Sequence, residues 1–344
     1  MRILIIGGTR RCGPYLVEEL LERGHSVVCY HRGQHNISFS DGAQQIHGDR
    51  RDYMGFKEQM AGVKADVVID MIASDDKDVQ AIVRSFSKRI QRYICISTYH
   101  VYEAWEAAWK RIPSSQPVPI PEEAAKRKQL HPYGEQLRFD KLLVEAEALE
   151  AQKRGDFPVT ILRWPALYGP RDTTPREWYY VKQALDGRRQ IAVPDGGHAL
   201  FARGYFENMA HTVVLAMDRH AASCRVYNAA DVTALSLRQI VEMIAQIMGH
   251  SWEIVPVPRK LMPPAPQSQL LPYSCDPYDI QPHLLFDLTK IRTELGYRDV
   301  VPITTAMENT VKWLVDHHPP DEWLAVSYPE HDEATRKAKQ TSSI

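Results

Sequence analysis

The chain has 344 residues, of which 44% are hydrophobic and 25% charged, a length and balance typical of a globular protein with one large or two small cores. Its 42 basic and 43 acidic residues leave a formal net charge of −1, so no overall positive field would attract nucleic acid or an anionic membrane. The five cysteines are scattered without metal-ligand spacing, so we expect reduced, small apolar side chains and no metal site.

The apolar run at residues 3–6 ends at Gly7 and Gly8, far short of the roughly 20 residues that cross a bilayer. It also lacks the pattern of an apolar core followed by a cleavage site that marks a signal peptide. We therefore expect a cytoplasmic protein with no membrane partner.

In the first half of the chain, strand-like and helix-like segments alternate. The segments that read as strands lie at residues 2–6, 26–30, 44–47, 65–72, 92–98 and 159–164. The segments that read as helices lie at residues 14–23, 52–60, 76–88 and 133–153. Strands that are apolar on both faces suit a parallel sheet covered by helices on each side. The pattern predicts an α/β fold with a doubly wound parallel sheet of the Rossmann type.

Beyond residue 170 the pattern loosens. The expected helices there lie near residues 175–186, 206–217, 236–248 and 303–315, and the expected strands near 225–229 and 252–257. The proline-rich stretch at 262–267 predicts a loop. We expect a dinucleotide-binding Rossmann domain at 1–170, a smaller C-terminal substrate lobe at 171–318 with some segments returning to the sheet, and a polar, frayed tail at 319–344.

A glycine-rich stretch, GGTRRCG at residues 7–13, lies between the first strand and the first helix. Glycines let the backbone approach a pyrophosphate closely, and the helix that follows offers its positive N-terminus. The loop therefore predicts a dinucleotide site.

The second strand ends in CYHRG, at residues 29–33. Proteins that bind NAD usually carry an acidic residue there for the ribose 2′-hydroxyl, whereas this chain has His31 with Arg32 beside it. Arg10 and Arg32 can each form charge-assisted bonds to a 2′-phosphate. We expect NADP(H) to be preferred, with NAD(H) as the alternative; solvated surface arginines are the competing interpretation.

Several later segments add to this pattern: GDRRD (48–52), ISTYHVY (96–102), KLLVE (141–145), ILRWPALYGPRD (161–172) and FDLTKIRTELGY (286–297). Together with the loop they resemble the extended short-chain dehydrogenase/reductases, the nucleotide-sugar epimerase and dehydratase group, and within it the atypical members whose loop reads GGTR. The resemblance covers about residues 1–318. The group's usual loop has glycines at positions matching 7, 10 and 13, and here Arg10 replaces the middle one.

The resemblance implies a set of cofactor contacts along the strand ends. Asp49 and Arg50 would lie at the adenine, Ala73 beside the cofactor, and Pro165 and Ala166 near the nicotinamide. The complete set is Gly7, Thr9, Arg10, Gly13, His31, Arg32, Asp49, Arg50, Ala73, Lys141, Pro165 and Ala166.

The resemblance also places the catalytic groups. Thr98 matches the hydroxyl that bonds the reacting oxygen. The group's acid/base is a tyrosine followed four residues later by a lysine, and here two registers compete: Tyr133 with Leu137 at the lysine position, or Lys141 with Leu137 at the tyrosine position. The Lys141 register matches more consecutive residues, so we expect Lys141 to hold ribose.

Tyr133 lies eight residues before Lys141, which is about 12 Å of rise in a regular helix, too far for tight coupling to its ammonium. Because the tyrosine–lysine pair is incomplete, a residue of the cleft must supply the proton. Tyr133 and His100 are the candidates, since histidine titrates near neutral pH.

For the substrate, the segment 161–172 keeps the arginine and Y-G-P of the group's R-x-x-N-x-Y-G-P, but Ala166 replaces the asparagine, which lowers the expectation of a nucleotide-sugar substrate. Tyr99 and Tyr102 follow the hydroxyl of Thr98 in the sequence and are candidate substrate contacts. Trp178 would line the substrate pocket, with a place in the hydrophobic core as the alternative. Arg203 would face an anionic substrate, with an ion pair to an acidic residue as the alternative.

From these features we expect an NADP(H)-dependent oxidoreductase or epimerase whose partner is a small polar or sugar-like molecule and not a nucleic acid. The resemblance also allows a homodimer. Two alternatives remain: a non-redox lyase or isomerase that keeps a tightly bound cofactor, and a non-enzymatic relative that binds RNA or protein.

Overall fold

The computed structural model describes residues 1–34, 39, 42–110, 112–114, 116–262, 283–319 and 328–341. The strands are β1 (Arg2–Ile6), β2 (Ser26–His31), β3 (Ala43–His47), β4 (Val67–Asp70), β5 (Arg92–Thr98), β6 (Val159–Trp164), β7 (Ala166–Tyr168), β8 (Gln190–Pro194), β9 (Leu200–Phe201), β10 (Arg203–Tyr205), β11 (Arg225–Asn228), β12 (Leu235–Ser236) and β13 (Glu253–Val257).

The helices are α1 (Cys12–Glu22), α2 (Tyr53–Ala61), α3 (Asp76–Phe86), α4 (Glu103–Lys110), α5 (Lys141–Lys153), α6 (Trp178–Leu185), α7 (Phe206–Asp218), α8 (Leu237–Ile247), α9 (Thr289–Leu295), α10 (Ile303–Asp316) and α11 (Tyr328–Thr341). Among the described residues, no helix is both long and apolar enough to cross a membrane.

Seven of the described strands form one parallel sheet in the order β11-β6-β5-β4-β1-β2-β3. The strand order reverses between β1 and β4, and ligands of such sheets bind in the crevice at the carboxyl ends of the strands there. This confirms the predicted doubly wound fold. The loops after β1, β2, β4, β5 and β6 therefore meet along one edge.

Helices cover both faces of the sheet, which is why the central strands are apolar on both sides. On one face, α1 and α7 pack their buried side chains, among them Leu16, Leu20 and Val213, against the sheet. On the other face, α3 and α5 pack theirs, including Ile82 and Val144. Burial of this apolar area is the main stabilising contribution to the nucleotide domain.

A smaller lobe is built from α6, α8 and α10, which share one apolar core. The short strands β8 and β13 pair in parallel, and β9 pairs with β12. Beside the sheet, β10 pairs with β7, with Arg203 opposite Ala166. Both α7 and β11 follow residue 170 in the chain but pack with the main sheet, as expected for segments that return to it.

Two expectations about elements are wrong. The helix expected at 133–153 begins only at Lys141. The tail expected to be frayed contains α11, whose Ala334 and Ala338 are buried against Val255 and Val257. The loop expected at 262–267 lies, beyond Met262, outside the described residues.

Candidate active site

The loop after β1 has the geometry of a phosphate cradle. Gly7 and Gly8 have φ angles of 98° and 92°, a left-handed region that favours glycine. A Cβ on Gly13 would lie 2.3 Å from the carbonyl carbon of Gly8, so only glycine lets α1 start this close to the loop. In the first turn of α1 the N–H of Gly13 donates to the carbonyl oxygen of Arg10 at 2.9 Å and Pro14 has no N–H, so the cradle attracts an anion mainly through the positive end of the helix dipole.

Basic side chains surround this cradle. Arg10 and Arg32 are exposed, and burial together with the charges of Arg11 and Arg32 lowers the pKa of Arg10. Arg11 turns towards the segment after β7, where it donates to the hydroxyls of Thr173 and Thr174 at 3.1 and 2.9 Å. Arg10 and Arg32 are thus close enough for their charges to interact, and both side chains are exposed.

The ring of His31 is buried within the turn that follows β2. Its Nδ1 accepts the backbone N–H of Gly33 at 3.1 Å, and its Nε2 lies 2.9 Å from Oε1 of Gln45. Since both ring nitrogens bond to neighbouring residues, the expectation that this ring contacts the cofactor is corrected: His31 holds the turn that presents Arg32.

At the end of β3, Asp49 is exposed and its carboxylate accepts the N–H of Arg51 at 2.9 Å. Arg50 is buried and donates to both carboxylate oxygens of Asp70 at 2.7 and 2.8 Å. It also bonds the backbone carbonyl of Asp78. The expectation that Arg50 contacts adenine is thus corrected, because its guanidinium lies in a buried ion pair.

Lys141 lies beneath the ends of β4 and β5. Its ammonium donates to the carbonyl oxygens of Ala73 at 2.6 Å and Ile96 at 2.7 Å. Burial lowers the pKa of this ammonium. These bonds place Ala73 and Lys141 together at the edge of the sheet.

The end of β5 carries a hydrogen-bonded pair of titratable groups. Thr98 is partly exposed at the last position of the strand, and the tight turn Tyr99–Val101 follows. In this turn, His100 Nδ1 lies 2.6 Å from the hydroxyl oxygen of Tyr133. Burial, followed by the charges of Arg127, Arg176 and Lys141, lowers the pKa of His100 to about 3, so the imidazole is neutral.

Tyr133 reaches His100 because the chain before α5 is not helical. Gly134 has a φ of 87°, a short turn spans Glu135–Leu137, and α5 begins only at Lys141. Neither four-residue register places a tyrosine one turn before the lysine. The ring of Phe139 lies 5.5 Å from the ring of Tyr133 and 5.7 Å from the ammonium of Lys141. Tyr133 thus pairs with His100, the other candidate for the proton donor.

On the substrate side, four predicted residues line one small apolar pocket with a volume of about 10 Å³: Tyr99, Tyr102, Pro165 and Ala166. The hydroxyl of Tyr102 is buried, donates to Asn228 at 2.6 Å and accepts from Arg163 at 2.8 Å. Tyr102 therefore offers its ring, and not its hydroxyl, to this pocket.

Two predicted substrate residues lie in the interior. Trp178 is 1% exposed and belongs to the core of the smaller lobe, so its assignment to the pocket wall is corrected. Arg203 is buried, pairs with Glu177 and lies 3.9 Å above the ring of Tyr168. Its assignment to an anionic substrate is corrected as well, because its charge is matched inside the protein.

The buried pair of Arg127 and Asp140, which was not predicted from the sequence, contacts the segments that carry His100, Tyr133 and Lys141. An aspartate directly before KLLVE is a helix N-cap signal, and it could have shown where α5 begins. Nothing in the sequence indicates that Arg127 is its partner.

The sequence model of the NAD dependent epimerase/dehydratase family matches residues 3–230. Over 241 residues the chain is 27% identical to the chloroplast stem-loop binding protein of 41 kDa b of Arabidopsis thaliana, an alignment that covers 66% of this chain and 58% of that protein. Matches to two curated relatives cover 58% and 50% of their sequences, so this chain spans little more than half their length.

Solved structures share the fold. A UDP-glucose 4-epimerase of Thermotoga maritima with UDP-glucose superposes with a TM-score of 0.69 at 18% identity, covering 92% of this chain and 99% of that one. A UDP-glucuronic acid 4-epimerase of Bacillus cereus in complex with NAD superposes with a TM-score of 0.66 at 18% identity, with the same coverage.

Proposed function

Because the chain belongs to the NAD dependent epimerase/dehydratase family, we propose that it is an NADP(H)-dependent oxidoreductase or epimerase that acts on a small polar or sugar-like molecule. The observation that carries this proposal is the 2.6 Å contact between Tyr133 and His100, formed where β5 ends at Thr98. The contact gives the cleft a hydroxyl with a hydrogen-bond partner, although the usual tyrosine–lysine spacing is absent.

The residues at the strand ends fit a nicotinamide dinucleotide. The loop after β1 packs so closely against α1 that only glycine fits at Gly13, and β2 ends in His31 and the exposed Arg32 in place of the acid that would repel a 2′-phosphate. Arg10 is the second exposed arginine at the cradle. When bound, the nicotinamide supplies the hydride chemistry. Lys141, held by two carbonyl oxygens at the same edge, is the residue that would hold the nicotinamide ribose.

Around the reacting carbon, the chain's own residues orient and move the proton. The hydroxyl of Thr98 binds the reacting oxygen. The neutral imidazole of His100, with its proton on Nδ1, donates to the hydroxyl oxygen of Tyr133, so it orients the phenol, leaves the phenolic proton for the reacting oxygen and stabilises the phenolate that forms. Tyr133 then gives a proton to the reacting oxygen, or takes one from it. Tyr99, the residue between Thr98 and His100, lines the small apolar pocket together with Pro165 and Ala166.

The cofactor preference is tested by titrating the protein with NADPH and with NADH while following the quenching of tryptophan fluorescence. A charge-assisted hydrogen bond contributes about 1.5–3 kcal/mol, so Arg10→Gly and Arg32→Ala should each weaken NADPH binding about tenfold or more and leave NADH binding nearly unchanged.

Arg23→Ala is the matched control, because Arg23 is a partly exposed arginine just after α1 that pairs with Glu19 and Asp218. Equal affinity for the two nucleotides, or an equal loss of both in the variants, would contradict the preference for NADPH.

Proton transfer is tested with a panel of carbonyl and sugar substrates. Tyr133→Phe removes the hydroxyl, so kcat should fall about 100-fold or more while the Kd for NADPH stays the same. Thr98→Val should act in the same direction. Stoichiometric consumption of NADPH identifies a reductase, whereas conversion of substrate without net consumption of NADPH identifies an epimerase or a non-redox lyase or isomerase.

Tyr297→Phe is the control for the loss of a tyrosine hydroxyl, because Tyr297 is buried and bonds Asp299 at 2.9 Å on a different part of the chain. If Tyr133→Phe turned over substrate as fast as this control, Tyr133 would not be the proton donor.

A further inference from the structure

The residues assigned to the chemistry come from three separate pieces of chain. His100 lies in the turn Tyr99–Val101, Tyr133 lies in the non-helical segment before α5, and Lys141 is the first residue of that helix. In a regular helix, the four-residue spacing itself brings two side chains together. Here something else must hold the three pieces in register.

Arg127 connects two of the pieces. It is buried, its Nε donates to the carbonyl of His100 at 2.9 Å, and its Nη2 pairs with the carboxylate of Asp140. Its backbone N–H also donates to the carbonyl of Val101 at 2.9 Å. One side chain therefore joins the turn of His100 to Asp140, the N-cap residue directly before α5.

Asp140 connects the third piece. Its carboxylate accepts the N–H of His131 at 2.8 Å, two residues before Tyr133, and caps α5 by accepting the N–H of Leu142 at 2.9 Å. Its own N–H donates to the carbonyl of Ser74 at 2.7 Å. The side chains of Arg127 and Asp140 are 1% and 0% exposed, so the ion pair is shielded from solvent and weakly screened by salt.

The backbone around Tyr133 needs such a restraint. His131 and Arg138 both have a φ of 47°, a left-handed conformation that non-glycine residues rarely adopt and that persists only where surrounding contacts enforce it. Asp140 holds the chain next to His131, and the side chain of Arg138 donates to Asp75 at 2.5–2.8 Å and to the hydroxyl of Tyr53. The segment that carries Tyr133 is thus anchored on both sides.

We propose that Arg127 and Asp140 are positioning residues that hold the hydroxyl of Tyr133 against His100 and both of them beside Lys141, in place of a continuous helix. This inference rests on the proposed function, because it assigns a role to residues that position its proton-transfer pair. Neither Arg127 nor Asp140 needs to touch substrate for it to hold.

The contact can be measured without substrate, in protein with ¹⁵N-labelled histidine. The ring signals of His100 are identified by their loss in His100→Gln. Tyr133→Phe removes the hydrogen bond to Nδ1 and should shift that signal. In an Arg127→Gln background the same Tyr133→Phe substitution should shift it by less than half as much, because the phenol is no longer held there. We call the shift of the Nδ1 signal that Tyr133→Phe causes the response. Arg127→Lys keeps the charge but not the several N–H donors of the guanidinium, so its response should be larger than that of Arg127→Gln and smaller than that of the wild type.

The matched control is Arg92→Gln. Arg92 is also buried, and its guanidinium donates to the carbonyls of Met217 and Arg219, but it starts β5 at the end opposite to the site. Loss of the response with Arg127→Gln and its retention with Arg92→Gln support the proposal. A full response in Arg127→Gln overturns it, and so does an equal loss in both variants, since general loosening would then explain the effect.

If Arg127→Gln does not fold, Asp140→Asn provides the same measurement, because asparagine still caps a helix while the ion pair is lost. A full response in that variant also overturns the proposal. Failure of the proposed function has a different signature: the wild-type protein would convert no substrate, and Tyr133→Phe would change no rate, while the dependence of the His100 signal on Arg127 would be unaffected.

Discussion

His100 stays neutral in the folded protein, and this has a consequence for stability. Its pKa is about 3 against an ordinary value of 6.5, with burial as the largest cause. Between these two pH values the unfolded chain binds a proton at His100 that the folded chain does not. The free energy of unfolding is therefore unaffected by this histidine above pH 6.5 and decreases as the pH falls from 6.5 towards 3.

We expect His100→Gln to remove that part of the acid sensitivity. Urea unfolding at pH 7 and pH 4.5 measures it: the free energy of unfolding should drop less on acidification in the variant, by up to about 1.4 kcal/mol per pH unit. His220→Gln, at an exposed histidine, is the control. If the two variants lost the same free energy on acidification, His100 would titrate in the folded state near its ordinary pKa.

The sequence predicted the glycine positions of the phosphate cradle better than it predicted the roles of the charged side chains. Gly7, Gly8 and Gly13 could be assigned because backbone geometry restricts such positions to glycine. The roles of Arg50 and Arg203 could not be assigned in this way. A buried arginine pairs with an acid, and here the acids lie far away in the sequence. Those acids are Asp70, Asp78 and Glu177, between 20 and 28 residues away.

At the scale of elements, segments with a strong local pattern were predicted well. The helix expected at 303–315 is α10, Ile303–Asp316, and the strand expected at 92–98 is β5. In both segments the spacing of the apolar residues fits one type of secondary structure, a helix for α10 and a buried strand for β5. The missed helix α4 has four buried residues of alanine and tryptophan in EAWEAAWK, a composition that favours a helix and could have been recognised.

The start of α5 depends on tertiary contacts as well as on local sequence. Asp140 caps the helix, which the sequence allows, but the chain before it is held away from a helical path by Arg127 and by the bonds of Arg138 to Asp75. The helix expected at 133–153 therefore began eight residues too early. The non-helical segment before α5 is also the one that brings Tyr133 to His100.

The same helix is anchored to the sheet one turn after Lys141. Glu145 is buried, accepts two bonds from Arg163 of β6 at 2.9 and 2.8 Å, and also pairs with Lys126. These charges lower the pKa of Glu145 to about 2 against the effect of burial, so the carboxylate remains ionised. The position of Lys141 thus follows from an ion pair between α5 and β6, while the position of Tyr133 follows from Arg127 and Asp140.

For the whole molecule, the alternation of buried strands and amphipathic helices was enough to predict the sheet and its two layers. This alternation did not predict the helix in the tail, because the tail is polar overall and its buried face consists of small residues. Ala334 and Ala338 lie one turn apart and are 3% exposed, and both pack against β13. His331, on the same helix, is buried against the hydroxyl of Tyr179 at 3.1 Å.

This packing predicts that the tail stabilises the smaller lobe. Truncation after residue 327 removes α11 and exposes Ala192, Val255 and Val257. We expect the truncated protein to unfold about 5 °C lower, for a loss of about 2 kcal/mol, and to keep its affinity for NADPH, because α11 packs on β8 and β13 and not on the glycine cradle. Scanning calorimetry measures the first effect and fluorescence titration the second.

Ala338→Asp should lower the melting temperature in the same direction as the truncation, because it places a charge in the buried stripe. Lys337→Gln is its control, since Lys337 lies one residue away on the same helix but is exposed and paired with Glu333. An unchanged melting temperature in both the truncated protein and Ala338→Asp would mean that α11 does not pack on the lobe in solution. A parallel loss of NADPH affinity would instead mean that the tail supports the nucleotide domain as well, through contacts that pass across the smaller lobe.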